Sequence, residues 1–536
     1  EPGREREMER VRRLDLVQAY LLEEAAGEHL WDLAQDIRSR VSPFHWMIEF
    51  PEVFFEERPD PLDGGTVNGA ALMEAVVGNP PFMGQAKILG LLGAEYRDWL
   101  FRAHPGVGGK ADYVVHFFRR AANLLGPHGA MGFIATNTIG QGDTREGGLG
   151  HLASAGYRIT AATTDMTWPG DAAVTVSVVH LAQGAPSDRV PSPVLNGQLV
   201  DAINSRLGAG LERAEVSKLV ANAGSSFTGN KIGGQGFLLD GDELEVLGSK
   251  DPKNRERVFP YIGGEEVNTS PTQNPHRLVI DFGQLTLEEC ASWPDILDIV
   301  RERVKPYRDT VRRDTWRKRW WQFAEVYPSM RAALRIRKRC LVNSQVSKHL
   351  VFAYQPTERV FAHTLYVYPL ESYSAFAVLQ SRVHEGWARL LSSSMKTDLR
   401  YTPSDCFQTF PFPQPDPRTV IDSLERIGEK LYNTRATFMV DTDQGLTKTY
   451  NALKDASNQE SRIIELRRLH EEMDRAVLDA YGWSDIEVPP FCPNNSAEQP
   501  ALQAFEDEVI DRLYVLNAER HREELKAGLV DPQSKK

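Results

Sequence analysis

The sequence predicts an α/β fold that gives way to an α+β region and then to a helical end. Three observations predict it. Between residues 71 and 181, apolar β-branched runs alternate with helical patterns, which is the rhythm of a mostly parallel, doubly wound sheet. From 195 to 415 that rhythm is lost to glycine-rich turns and to aromatic or β-branched runs such as Leu341–Val346 and Thr364–Val367. From 419 onward, Leu466, Leu469, Met473, Val477 and Ala480 form an apolar stripe at helical spacing, with charges opposite.

Taken in order, residues 5–40 read as one or two helices, because Leu14, Val17, Tyr20 and Leu21, then Leu30, Leu33 and Ile37, recur on one face. Ser42-Pro43 breaks the pattern before the aromatic stretch 44–55, and Pro59–Val67 is a turn-rich loop. Ala71–Gly78 is a strand that runs directly into Asn79-Pro80-Pro81-Phe82. Helices follow over Leu91–Ala103 and Asp112–Leu125, the second stopped by Gly126-Pro127. Ala130–Thr136 is a short buried strand, 144–155 a helix, and Tyr157–Thr164 and Ala173–Leu181 are strands. Gly184–Pro193 is a linker by composition. Three prolines within residues 411–415 close the α+β region. The expected domains are therefore 1–185, 186–415 and 416–536, with no internal repeat.

With 536 residues the chain exceeds one core, and 41% hydrophobic with 25% charged residues is ordinary globular composition. No apolar run reaches the ~18 residues a membrane helix needs. The charged start, EPGREREMERVRR, carries no apolar signal region. Cys290, Cys340, Cys406 and Cys492 lie far apart with no CxxC pair, so neither a metal site nor a disulfide framework is expected, and a reducing cytoplasm fits. The net charge of −12 excludes a uniformly basic nucleic-acid binder but not a basic face. Between Arg301 and Arg339, fourteen Lys or Arg stand against Glu302, Asp309, Asp314 and Glu325.

Asn79-Pro80-Pro81-Phe82 carries the clearest chemistry. The exocyclic amine of adenine is a poor nucleophile because its lone pair is delocalised into the ring. Two acceptors on the amine hydrogens, a side-chain amide oxygen at 79 and a backbone carbonyl at 80, draw that pair out of conjugation. Consecutive prolines hold the carbonyl still, and an aromatic ring at 82 can stack on an extruded base. The same turn after a strand can also be only a stiff loop, and the strand–turn–helix context argues against that.

The strings EFPEVFF, VVGNPPF, DYVVHFFRRAANLL and GAMGFIATN resemble the large amino-methyltransferases of prokaryotic restriction–modification and phage-defence systems. These include fused type II restriction–methylation enzymes and DISARM-type methylases. The resemblance implies part of a Rossmann-like class I methyltransferase domain, then an α+β target-recognition domain and a helical region. It implies methyl transfer from S-adenosyl-L-methionine to the N6 amine of a flipped adenine in double-stranded DNA. Asn79 and Pro80 would bind the amine, Phe82 would stack on the base, and Asn79 with Asp112 would border the cofactor. One feature departs from the family: its glycine-rich cofactor turn, which lies before NPPF, has no counterpart in residues 1–78. Gly140-Gln141-Gly142 and Gly233-Gly234-Gln235-Gly236 lie downstream of NPPF. The chain is thus expected to start inside the domain, with a further segment or a partner subunit supplying the turn, alongside other defence-system proteins.

Ser225–Gly229 with Gly236–Leu239, Trp320–Phe323, Ser347–His349, Leu379–Arg382 and Leu399–Asp405 resemble landmarks of the recognition domain. The residues expected to touch DNA are Arg312, Arg313, Arg317, Lys318, Ser347, Lys348, His349 and Arg400, with Trp320 and Trp321 expected in the core. No nuclease signature is visible. Two other readings compete. One is a non-catalytic recognition subunit. The other is methylation of a protein glutamine, which also uses an NPP[YF] loop but without a ~220-residue insert.

Overall fold

In the computed structural model the described residues are 44–54, 58–59, 67–68, 72–168, 174–183, 192–395, 398–493 and 498–530, with isolated helical positions at 32, 35, 36 and 39. The helices expected over 5–40 and most of the linker expected at 184–193 lie outside them. The chain divides into two compact units. The first comprises 1–135, 147–166 and 176–211, the second 136–146, 167–175 and 212–536.

The first unit is built on a six-stranded sheet. Its strands are β1 (Met73–Gly78), β2 (Leu125–Thr136), β3 (Tyr157–Thr167), β4 (Thr175–Gln183), β5 (Val194–Leu195) and β6 (Gln198–Leu199), in the spatial order β1-β2-β4-β3-β5-β6. β1 pairs parallel with β2, placing Val76 opposite Met131 and Gly78 opposite Phe133, and β3 pairs parallel with β5. Parallel neighbours need crossovers, and helices α1 (Gln85–Ala103) and α2 (Val114–Ala122) lie between β1 and β2 in sequence. α1 is broken at Gly93, whose φ of 83° only glycine adopts readily.

Two local expectations change. α2 ends at Ala122, short of the expected Leu125, and β2 begins at Leu125 and runs through Gly126-Pro127. The register explains it: from Met73 to Ala75, β2 advances from Leu125 to Ala130, so the proline sits in a bulge that needs no ladder hydrogen bond from it. The helix expected at 144–155 is interrupted by a π turn at Glu146–Gly150. There a Cβ on Gly147 would stand 2.9 Å from the backbone of Val107.

The second unit holds three sheets formed by β7 (Phe227–Thr228), β8 (Leu238–Leu239), β9 (Val258–Ile262), β10 (Arg277–Ile280), β11 (Arg339–Ser344), β12 (Val346–Ser347), β13 (Ala353–Pro356), β14 (Val360–Phe361), β15 (Leu365–Tyr368), β16 (Ser393–Met395) and β17 (Asp398–Arg400). They assemble as β8-β10-β9-β14, β13-β11-β15-β7 and β12-β17-β16. Helices α3 (Pro294–Arg303) and α4 (Asp314–Lys318) precede β11; α5 (Tyr373–Gln380) and α6 (Arg382–Leu391) follow β15. The end of the chain is α7 (Asp422–Asp441), α8 (Leu446–Leu453), α9 (Ser461–Tyr481) and α10 (Glu498–Lys526).

These C-terminal helices build no separate core. Leu466, Leu469, Met473 and Val477 of α9 join one apolar cluster with Val342, Phe352, Phe376 and Trp387. A buried ion pair adds to it, Arg382 Nε to Asp474 Oδ2 at 2.6 Å, while Arg382 also donates to the carbonyls of Pro489 and Pro490. Arg435, fully buried, donates to Gln380, the Tyr450 hydroxyl and the Phe352 carbonyl. No helix among the described residues is long and apolar enough to cross a membrane.

Candidate catalytic loop and nucleic-acid interface

β1 delivers Asn79 to the carboxyl end of a parallel strand, where doubly wound sheets place their ligand crevices. Gly78, the last strand residue, lies against the ring of Phe133, where a Cβ would come within 2.9 Å. Within the tetrapeptide, Pro80 is buried, Asn79 and Pro81 are exposed and Phe82 is half-buried. Pro80 therefore anchors the loop, while Asn79 is exposed to solvent.

The far side of the loop is held by the backbone. The Tyr113 N–H donates to the carbonyl of Met83 at 2.9 Å, tying the loop to the start of α2. The Gly84 carbonyl receives the N–H groups of Lys87 and Ile88, opening α1. Side chains complete the clamp: Tyr113, Ile88 and Leu100 form a small core against Met83, Tyr96 and Phe117, and the Tyr96 and Tyr113 hydroxyls meet at 2.7 Å. Burial first, and then the Tyr96 hydroxyl, push the Tyr113 phenol well up, so it stays protonated. Asp112 is close by, its Oδ1 3.5 Å from where a Cβ on Gly84 would sit. The structure thus brings Asp112 beside the loop that carries Asn79, Pro80, Pro81 and Phe82.

Behind α1 lies a pair that sequence reading missed. His104 and His116 are both buried, Nδ1 to Nδ1 at 2.9 Å. Burial, followed by the charges of Arg119 and Arg120, lowers the His104 pKa; burial and His104 itself lower that of His116 to about 4. One neutral ring donates and the other accepts, so the pair locks α2 to the end of α1.

In the second unit, charge is less free than the count of fourteen suggested. Acids from outside the segment take part: Arg301 pairs with Asp298, Arg303 with Glu243 and Arg331 with Asp281. Arg317 and Lys318 both pair with Asp314, and Arg313 with Glu325. Arg308 is buried, and Trp320 is buried as expected, with Trp321 packed beside it. Arg312, Arg319 and Arg335 are exposed and have no ion-pair partner among the described residues. Arg312 thus stays on the candidate surface with an unpaired charge, while Arg313, Arg317 and Lys318 share theirs with acids.

Ser347, Lys348 and His349 separate. His349 is only 5% exposed, its Nε2 2.9 Å from Asn451 Oδ1, and the Ser347 hydroxyl donates to the His349 carbonyl. Burial is also the main cause that lowers the His349 pKa. This corrects the expectation that His349 faces DNA: its ring is committed to Asn451. Lys348 reaches the same Asn451 oxygen from the surface. Arg400 is exposed at the end of β17, opposite Val346 of β12.

Gly140-Gln141-Gly142 follows β2 of the first sheet directly, whereas the Gly233–Gly236 cluster follows no strand of that sheet. Gly233 (φ 66°) and Gly236 sit in the second unit, where a Cβ would strike Ala324 at 2.5 Å and the Arg303 backbone at 2.6 Å. Close packing explains those glycines. Gly140-Gln141-Gly142 forms a 3-10 turn and the start of a helical turn.

Two domain families match stretches of this chain. Residues 58–190 match the family "MmeI, DNA-methyltransferase domain", and residues 214–414 match "MmeI, target recognition domain". The chain is 23% identical over 430 residues to DNA methyltransferase A of Bacillus subtilis (strain 168), covering 77% of this chain and 46% of that protein. Among solved structures, the type IIL restriction–modification enzyme MmeI, determined in complex with DNA, superimposes with a TM-score of 0.62 at 18% identity. That match covers 84% of this chain and 57% of that one, and at such identity the likeness is one of fold. The chain spans about half the length of the relatives it matches.

Proposed function

We propose that this chain, whose residues 58–190 and 214–414 match the methyltransferase and target-recognition domain families, belongs with the type II restriction–modification methylases and methylates DNA at a specific site, on the N6 amine of an adenine turned out of the duplex. The observation that carries this reading is the NPPF loop. An exposed amide stands at the carboxyl end of a parallel strand, beside a buried proline, and the loop is tied three residues on where the Tyr113 N–H donates to the Met83 carbonyl. Such a loop supplies two fixed acceptors for an amine's hydrogens, and preorganised acceptors act without reorganising during reaction. Phe82 supplies the face on which the base stacks. The second unit supplies site recognition, and double-stranded DNA in a prokaryotic cytoplasm is the substrate.

S-adenosyl-L-methionine would donate the methyl group. The described residues fit its border near the target base, with Asn79 and Asp112 flanking one loop. The glycine turn that would cradle the rest is absent from residues 1–78, so under this reading another segment or a partner subunit supplies it. The non-catalytic alternative rests on that same absence.

The test is methyl transfer from isotopically labelled S-adenosylmethionine to duplex DNA, followed by nucleoside mass spectrometry, with the chain alone and with its natural flanking segment or partner. Labelled N6-methyladenine, lost in Asn79→Ala, supports the reading. Labelled methylcytosine, or label on protein glutamine, overturns it. Calorimetric titration with S-adenosylmethionine separates the enzyme from a recognition subunit, which would show no heat of binding in any of these combinations.

A further inference from the structure

The cation excess of the recognition unit converges on one side chain, Trp316. Lys231 Nζ, the Arg308 guanidinium and the Arg313 guanidinium each lie 5.3 Å from the centre of its indole ring. They come from different parts of the chain. Lys231 belongs to the glycine-rich turn, and the absence of a Cβ at Gly233 lets that turn close onto Ala324 and Arg308.

Arg308 is the unusual member. It is fully buried, donates from Nη2 to the carbonyls of Ile232 and Gln322, and leaves Nε and Nη1 without a hydrogen-bond partner among the described residues. A buried guanidinium with unspent donors projects positive potential into its surroundings, because the low-dielectric interior screens it poorly. Among the described residues, Glu325 is the only carboxylate that forms an ion pair with this group, through Arg313.

Beside Trp316 opens a cavity of about 720 Å³, lined by Trp316, Trp321, Arg319, Gln322, Gln284 and Thr286 among others, with Glu288 as the only carboxylate on its wall. Its wall is pre-set: the indole N–H of Trp321 and the side-chain amide of Gln322 both donate to the Leu285 carbonyl. The volume is of the size that holds a drug-sized ligand. Its chemistry is mixed, with two indole faces, two side-chain amides and one exposed arginine that has no ion-pair partner among the described residues.

We propose that this cavity is a nucleotide site for one strand of the bound DNA: Arg319, backed by the Lys231–Arg308–Arg313 cluster, takes a backbone phosphate, and the attached base lies against Trp316 within reach of Gln284 and Gln322. Aromatic faces take any base, arginine takes the phosphate, and side-chain amides are suited to an adenine edge. The inference rests on the reading that the second unit binds DNA, and it moves the main phosphate contact from the paired Arg317 and Lys318 to the unpaired Arg319.

The experiment is fluorescence anisotropy of labelled duplexes, cognate-like and scrambled, across a salt series, with the full chain and with Arg319→Gln, Gln322→Ala and Arg317→Gln. Arg319→Gln is expected to weaken both duplexes alike and to flatten the salt dependence by about one. Gln322→Ala is expected to change the preference among sequences while leaving the salt slope intact. Arg317→Gln is the comparator and should move less than Arg319→Gln. Circular dichroism checks that each variant is folded, and Arg319, exposed and unpaired, can be changed without breaking the core. Equal binding and equal slope for Arg319→Gln and the unaltered chain overturn the cavity as a strand site, even where DNA binding itself is sound. If the unaltered chain binds no duplex with its flanking segment or partner present, the functional reading falls, and this inference with it.

Discussion

The NPPF loop and the basic segment at 301–339 are both rich in informative residues, yet they are built in opposite ways. The loop is local. Gly78, Asn79, Pro80, Pro81 and Phe82 are consecutive, and its clamp at Met83 and Tyr113 is one backbone hydrogen bond within the same unit. The basic segment is assembled in part from afar: Glu243 and Asp281 neutralise arginines within it, and Lys231 joins it across the glycine turn. A motif held by backbone geometry keeps its meaning when read as a string. A charge count does not, because each charge's availability depends on partners brought in by the fold.

The largest effect expected of any single change tests whether a family landmark is architecture or contact surface. Arg382→Ala strands Asp474 as a buried uncompensated charge, and losing one partner of such a pair costs ~3–5 kcal/mol. Chemical denaturation should show that loss. A variant with unchanged stability and lost DNA binding would place Arg382 with the interface instead.

Asn79→Ala probes the opposite kind of region. Under the proposed role, in which the amide contacts the extruded amine, the rate of methyl transfer should fall by ~10²–10³ with duplex affinity kept. Wild-type turnover in this variant would remove NPPF from the chemistry.

The His104–His116 pair predicts how the first unit responds to acid. Both pKa values lie below that of a free histidine, so the unfolded chain takes up protons first as pH falls. Stability is therefore fully present above about 6.5 and declines from there toward about 4, the value for His116, by on the order of 3 kcal/mol. Thermal unfolding followed across that window should lose most of its pH dependence in a His104→Phe, His116→Phe double variant. An equally steep decline in that variant would assign it to carboxylates.

Phe82→Ala should weaken base extrusion more than duplex binding, by ~1–3 kcal/mol. 2-Aminopurine at the target position reports this, and equal fluorescence in variant and wild type would deny Phe82 the stacking role. Smallest of all is Arg317→Ala. Its pairing with Asp314 is exposed and screened by solvent, so stability should barely change. A large loss of folded protein in denaturant melts would mean that the segment's surface pairs matter more than their exposure implies.

Much was determined by the sequence alone. The strand into NPPF, the helices after it, the parallel α/β rhythm and the stripe of α9 were legible, because alternation and helical spacing are local consequences of backbone geometry. Proline chemistry made the loop's rigidity legible for the same reason. What the tertiary structure alone decided lies wherever burial or pairing joins distant residues. It carried β2 through Gly126-Pro127 by a bulge in its pairing with β1. It committed the His349 ring to Asn451 and merged the C-terminal helices into the recognition core. It also set Arg308 and Lys231 around Trp316 while leaving Arg319 unpaired. The physical reason is common to these cases. Hydrogen-bond register and charge neutralisation depend on which groups meet in space, and residues tens to hundreds of positions apart meet only once the chain has packed.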